Sequence, residues 1–250
     1  MFPLHTVALG AVAGGTILLG LPAARLRRLA PPWLALLNAL AVGVLLFLFV
    51  DVMEQAASPV EAALEASLAA FWPLALLLAL GFGGGLLGLV AYSQRLPRGS
   101  TGPERLAFLI AVGIGLHNFA EGLAIGNAAG RGAITLALTL IVGFGLHNAT
   151  EGFGIAAPLV GRPVSWRRLL LLGVIGGGPT MLGTLLGVRF TSAPVSVLFL
   201  ALAGGSILFV VGELLAVGRR LAAPLWVGWG LTLGLLAGFA TDFILVRAGA

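Results

Sequence analysis

Residues 110–126 read IAVGIGLHNFAEGLAIG, and residues 140–156 read LIVGFGLHNATEGFGIA. Aligned at an offset of 30, the two share nine identities in 17 positions, including the whole frame G-L-H-N-x-x-E-G. An offset of that size is one membrane helix plus a short turn, so the copies should lie on consecutive antiparallel helices. Inverted pairs of this kind place a shared site near the bilayer midplane.

The rest of the chain supports a membrane setting. Of 250 residues 59% are apolar and only 9% are charged; mean hydropathy is +1.10. A soluble domain carries about 25% charged residues, so 14 basic and nine acidic side chains cannot cover this one with a polar surface. Secreted, cytosolic and disordered classes are excluded. The apolar runs are long and continuous, unlike the alternating strands of about 10 residues in a membrane barrel. The fold class is therefore all-α, a polytopic integral membrane protein. With no cysteine, disulfides and thiolate metal sites are excluded.

Eight spans, each needing about 20 apolar residues, fit the length as one transmembrane domain over residues 1–250. They run roughly 4–21, 33–53, 69–92, 105–128, 133–158, 168–189, 193–217 and 224–247. The loops after the odd-numbered spans hold Arg25, Arg27, Arg28, Arg95, Arg98, Arg105, Arg162, Arg167, Arg168, Arg219 and Arg220; the other side holds Arg131, Arg189 and Arg247. By the positive-inside rule the arginine-rich side is cytoplasmic and both termini face outward. The net charge of +5 thus reflects topology, and no nucleic-acid partner is expected. The first span lacks a basic leader and is followed by an arginine cluster, so it reads as a span and not as a cleaved signal.

Glycines spaced by four (Gly10/Gly14, Gly81/Gly85, Gly173/Gly177, Gly183/Gly187 and Gly230/Gly234/Gly238) make flat helix stripes. Tight packing is the plainer reading, and a smooth sliding surface the functional one.

The chemistry sits in the repeat. His117 and Glu121 are four apart, as are His147 and Glu151, so each pair shares a helix face. Two facing helices would present two imidazoles and two carboxylates to one point. Asn118 and Asn148 point toward an adjacent position, and Gly122 and Gly152 remove bulk beside each glutamate. A charge at a helix centre costs about 3 kcal/mol on insertion scales, and neither span offers a basic side chain near the motif. A divalent cation matches two carboxylates, and the mixed N/O set suits zinc, iron, cobalt, nickel, manganese or cadmium. A proton relay through the same groups is the alternative; a metal sensor that moves nothing is a third. A metalloprotease would need His-Glu-x-x-His on one helix, which the motif lacks.

At this motif the sequence resembles the ZIP (Zrt/Irt-like protein) family of divalent metal transporters, most closely its bacterial GufA-like branch. The segments LAGGSILFVVGELL (202–215) and FVDVMEQA (49–56) share that likeness. The resemblance implies an eight-helix ZIP-like bundle in the cell membrane. His117, Glu121, His147 and Glu151 then match the primary metal site, with Asn118 and Asn148 near a second. It also implies an elevator movement of spans one, four, five and six against two, three, seven and eight. Two departures stand out: Asn148 where many members have Asp, and Gly178 where GufA-like members have Glu. One ion at the centre is therefore expected instead of two. The loop 93–105, often histidine-rich in the family, has no histidine here.

Among the remaining polar residues, Asp51, Glu54, Asp242 and His5 fall on the outer side, where acids could concentrate cations. Glu61 and Glu65 read as a solvated helical connector, and Glu213 as a partner of Arg219 or Arg220. Pro179 should free a carbonyl in span six, beside Thr180 and Thr184, making that span a wall of the pathway. The expected function is transport of divalent metal, zinc first, as substrate. No resident cofactor and no enzymatic activity are expected; the expected partners are metal ions, lipid and, as one option, a second copy in a homodimer.

Overall fold

The computed structural model describes residues 2–26, 29–95, 102–189 and 192–247. Arg27, Arg28, Arg98, Pro97 and Gly99 lie outside the described residues. Among the described residues, eight helices are long and apolar enough to cross a membrane, and no strand occurs. The polytopic helical membrane fold expected from the sequence is the one observed.

The first span is made of α1 (Phe2–Gly15) and α2 (Ile17–Gly20), followed by a 3-10 turn at Leu21–Arg25. The break falls at a back-bonded hydroxyl. Thr16 Oγ1 donates to the carbonyl of Ala13 at 2.7 Å, a back-bond that competes with the helical ladder and bends helices. The remaining spans are α3 (Pro31–Ala66), α4 (Leu68–Arg95), α5 (Gly102–Gly130), α6 (Ile134–Ala156), α7 (Trp166–Gly187), α8 (Ala193–Arg220) and α9 (Pro224–Arg247). Span two differs most from expectation. It runs on as one 36-residue helix through Pro59, so Glu61 and Glu65 are exposed on its continuation and not on a separate connector.

The helices pack as two groups. One contains α1, α2, α5, α6 and α7, and the other α3, α4, α8 and α9. Within the first, a Cβ added at Gly177 would strike the carbonyl of Gly14, and one at Gly122 the carbonyl of Thr180. Gly183 lies equally close to Phe119, and Gly152 to Ile17. Within the second, Gly234 meets the Leu40 carbonyl, and Gly85 meets that of Leu202. The aromatic pairs Trp33–Trp226 and Phe47–Phe239, with centroids 5.1 and 5.0 Å apart, join α3 to α9. Asn38 Nδ2 donates to the Leu214 carbonyl at 2.8 Å and ties α3 to α8.

Between the groups the contacts are different. Gly113 faces the side chain of Val210, and Gly154 those of Leu214 and Ala41. One apolar cluster runs across this boundary, including Leu45, Ile110, Ile114, Ile207 and Leu214. The glycine stripes therefore cement each group internally, as close backbone approach does in membranes. They do not form the boundary, so the tight-packing reading of the stripes holds.

This packing predicts a contrast. Gly177→Val should destabilise the detergent-solubilised protein by about 3 kcal/mol or more through overpacking against backbone that cannot yield. Gly88→Ala, inside α4 at a position with nothing within 4 Å of the added atom, should not lower thermal stability, since alanine is the better helix former.

Candidate metal centre

α5 and α6 carry the two copies of the motif and cross at their middles. His117 and Glu151 are fully buried, Glu121 is 5% exposed and His147 7%. The i, i+4 spacing on α5 brings His117 Nε2 to 3.0 Å from Glu121 Oε1. From α6, His147 Nε2 reaches that same oxygen at 2.5 Å. One carboxylate oxygen thus joins the two imidazoles, whose ring centres stand 6.4 Å apart. Ligand atoms of His117, Glu121 and His147 all lie within 4.8 Å of one another, a spacing that could hold a metal ion. Glu151 approaches through His117 alone, Oε1 to Nε2 at 3.4 Å. The sequence places all four at one point; the structure brings three together and holds the fourth at their edge.

Asn118 and Asn148 are fully buried and serve the helix packing through their amide nitrogens. Asn118 donates to the Gly176 carbonyl of α7 at 3.0 Å, and Asn148 to the Ala13 carbonyl of α1 at 3.1 Å. Each helix of the repeat is thereby fixed to a neighbour in its own group. The oxygen ends of both amides find no partner among the described residues, nor do both oxygens of Glu151 and Oε2 of Glu121. Buried oxygens left without donors cost about 1–3 kcal/mol each, more when charged. The carboxylate oxygens among them belong to the two glutamates that stand beside the imidazoles, where a cation could satisfy them.

Of the other residues singled out, Asp51 and Asp242 do approach the centre. A cavity of about 250 Å³ is lined by Asp51, Asp242, Phe144, Thr150, Thr241 and His147. A larger cavity of about 650 Å³ also holds Asp51 and Asp242, with Asn127 and Arg131. Gln55 Nε2 donates to Asp51 at 2.9 Å. Glu54 joins a third cavity beside them, while His5 is exposed near the start of α1. Sequence reasoning missed Phe144, whose ring centre lies 5.5 Å from that of His147. Its position three residues earlier on the same helix face was the available signal.

Two expectations are corrected. Glu213 makes no ion pair with Arg219 or Arg220; among the described residues the charge-pair contacts found are those of the two histidines. The arginines are exposed at the helix end, where water screens them better than a half-buried carboxylate can. Pro179 does not open α7 onto the cavities beside His147. The helix continues through it, and the Ile175 carbonyl, four residues earlier, packs against Gly115 of α5. Thr184 Oγ1 is satisfied by the Thr180 carbonyl at 2.8 Å.

Compared with the curated proteins, the chain finds no match. The family model described as ZIP zinc transporter matches residues 93–245, a stretch that contains both copies of the motif and the helices α5 and α6 that carry them. A buried, duplicated His/Glu group inside an eight-helix membrane bundle is the structural side of that match, and the chain belongs to the ZIP zinc transporter family.

Proposed function

We propose that the protein carries divalent transition-metal ions, zinc first, across the cell membrane toward the cytoplasm, binding each ion at His117, Glu121, His147 and Glu151. The observation that carries this reading is the convergence of two imidazoles on one buried carboxylate oxygen, beside a second carboxylate with no donor of its own. Zinc accepts such mixed nitrogen and oxygen ligands in four-coordinate sites. The likeness to the GufA-like branch in segments 49–56 and 202–215 belongs to the same proposal.

The ion approaches from the side of Asp51 and Asp242, which line both cavities, the smaller of them reaching His147. Acidic clefts with low-dielectric walls raise the local cation concentration. The arginine asymmetry puts that side outside, with both termini. Access then alternates as the group α1, α2, α5, α6 and α7 moves as a body against α3, α4, α8 and α9. The contrast between backbone-to-backbone cement within each group and side-chain contact between them supports such a division. Asn118 and Asn148 act as positioning residues, fixing α5 to α7 and α6 to α1. With Gly178 supplying no carboxylate, the centre takes one ion per chain.

Glu121 bridging two histidines is also the geometry of a hydrogen-bonded proton path, which gives the second reading, a proton relay.

Vesicles containing the purified protein test both. Labelled zinc should accumulate, and zinc or cadmium in excess should compete. Glu121→Ala and Glu151→Ala should abolish uptake, while Asp51→Asn should weaken it several-fold at low ion concentration only. In the same vesicles, a cysteine pair at Ala41 and Gly154 should lock the two groups together. The Cβ positions there are 3.7 Å apart, within disulfide range, and the chain has no other cysteine. Uptake should stop on oxidation and return on reduction. Proton flux without metal flux would establish the relay instead, and metal binding with no flux would establish a sensor.

Metal content of desalted protein gives the stoichiometry. One zinc per chain is expected; two tightly held ions that both depend on Glu151 would overturn the single-ion proposal.

A further inference from the structure

The end of α7 opposite the acidic cavities carries a second cavity of different character. It measures about 560 Å³ and is lined by Arg25, Gly161, Arg162, Pro163, Val164 and Ser165. Arg25 arrives from the end of the first span and is held there. Its Nη1 donates to the Val164 carbonyl at 3.0 Å, and its guanidinium lies over the Trp166 ring at 5.0 Å. Gly161 N–H in turn donates to the Leu26 carbonyl at 3.2 Å. Ser165 caps α7 by accepting from Arg168 N–H at 3.2 Å. A guanidinium has five donors, so a single bond to Val164 leaves most of Arg25 available. Arg162 is exposed at the same rim.

Along the same seam runs an apolar groove of about 140 Å³ between α1/α2 and α7, lined by Gly14, Gly15, Leu18, Gly173, Val174 and Gly177 among others. At 1.5 Å per residue, Gly173 and Gly177 lie about 12 and 18 Å along α7 from Ser165. One leaflet of hydrocarbon is about 15 Å deep. Trp166, 59% exposed, sits between the two cavities at the level where tryptophan marks the membrane interface. Positive-inside bias accounts for the number of arginines on this side. It does not account for two of them, from loops far apart in sequence, lining one cavity on the same α1/α2–α7 side as the apolar groove.

We infer that this seam binds an anionic diacyl phospholipid, its phosphodiester between Arg25 and Arg162 and an acyl chain along the α1/α2–α7 groove. Basic pockets between membrane helices recognise anionic headgroups in this way. Charge complementarity selects the headgroup, and the groove selects a lipid over free phosphate. The inference rests on the membrane-spanning fold and is independent of what the centre carries.

Thermal unfolding of the detergent-solubilised, full-length protein tests it, since a ligand that binds only the folded state raises Tm. Phosphatidylglycerol should raise Tm by several degrees more than phosphatidylcholine of the same chains, and inorganic phosphate should raise it not at all. Arg162→Gln should abolish the difference between the two lipids. Gly15→Leu fills the groove at a position with nothing within 4 Å of the added Cβ; it should cut the phosphatidylglycerol shift without lowering the lipid-free Tm. Equal stabilisation by both lipids, a full difference in Arg162→Gln, a full shift in Gly15→Leu, or an equal shift with inorganic phosphate would each overturn the proposal.

Discussion

Two carboxylates buried in a membrane with histidines as their charge-pair partners are the constraint from which the rest follows. A carboxylate taken out of water loses several kcal/mol of hydration, even after relaxation. Glu121 recovers part of that from two imidazoles that share one of its oxygens. Glu151 recovers almost none, since neither oxygen has a hydrogen-bond partner and His117 stands at 3.4 Å. Among the described residues no arginine comes within ion-pair distance of either. Glu151 is therefore the buried carboxylate with the fewest partners among the described residues, and a cation at the centre is the partner the proposed function gives it.

Holding such a group in place requires stiff surroundings, and the glycines provide them. Where Gly14 meets Gly177 and Gly122 meets Thr180, backbones touch with no side chain between them. The two asparagines add hydrogen bonds from α5 to α7 and from α6 to α1. In lipid these contacts meet little competition from water, so the five helices that carry the site form one packed body. The boundary with the other four is largely apolar side-chain contact, interrupted by the cavity that Asp51, Asp242 and His147 line. Stiff packing within each group and side-chain contact between them are compatible with the alternating access proposed above.

Much of this was legible in the sequence for simple reasons. Spans follow from hydropathy, because lipid leaves no other place for 20 apolar residues. The His–Glu pairs follow from i, i+4 spacing on a helix. Other features depend on three-dimensional neighbours and could not be read. The break at Thr16 falls at a back-bonded hydroxyl, a bond that α4, α6 and α8 carry unbroken at Ser93, Thr150 and Ser206. Pro59 did not end α3, since a membrane helix continuing beyond the bilayer can absorb it. Spacing gave Glu151 the same standing as Glu121, yet the crossing of α5 and α6 sets one carboxylate between the histidines and the other at their side. The glycine pattern was plain, but which backbone each glycine admits is a property of the packing alone.

X-ray absorption at the zinc edge, on protein loaded with zinc and desalted, addresses the central claim most directly. Zinc held by the His/Glu centre should show four light-atom ligands, with the outer-shell scattering of two imidazoles, and that scattering should fall by half in His147→Ala. A spectrum without imidazole scattering, or one unchanged in that variant, would contradict the assignment of the transported ion to this centre.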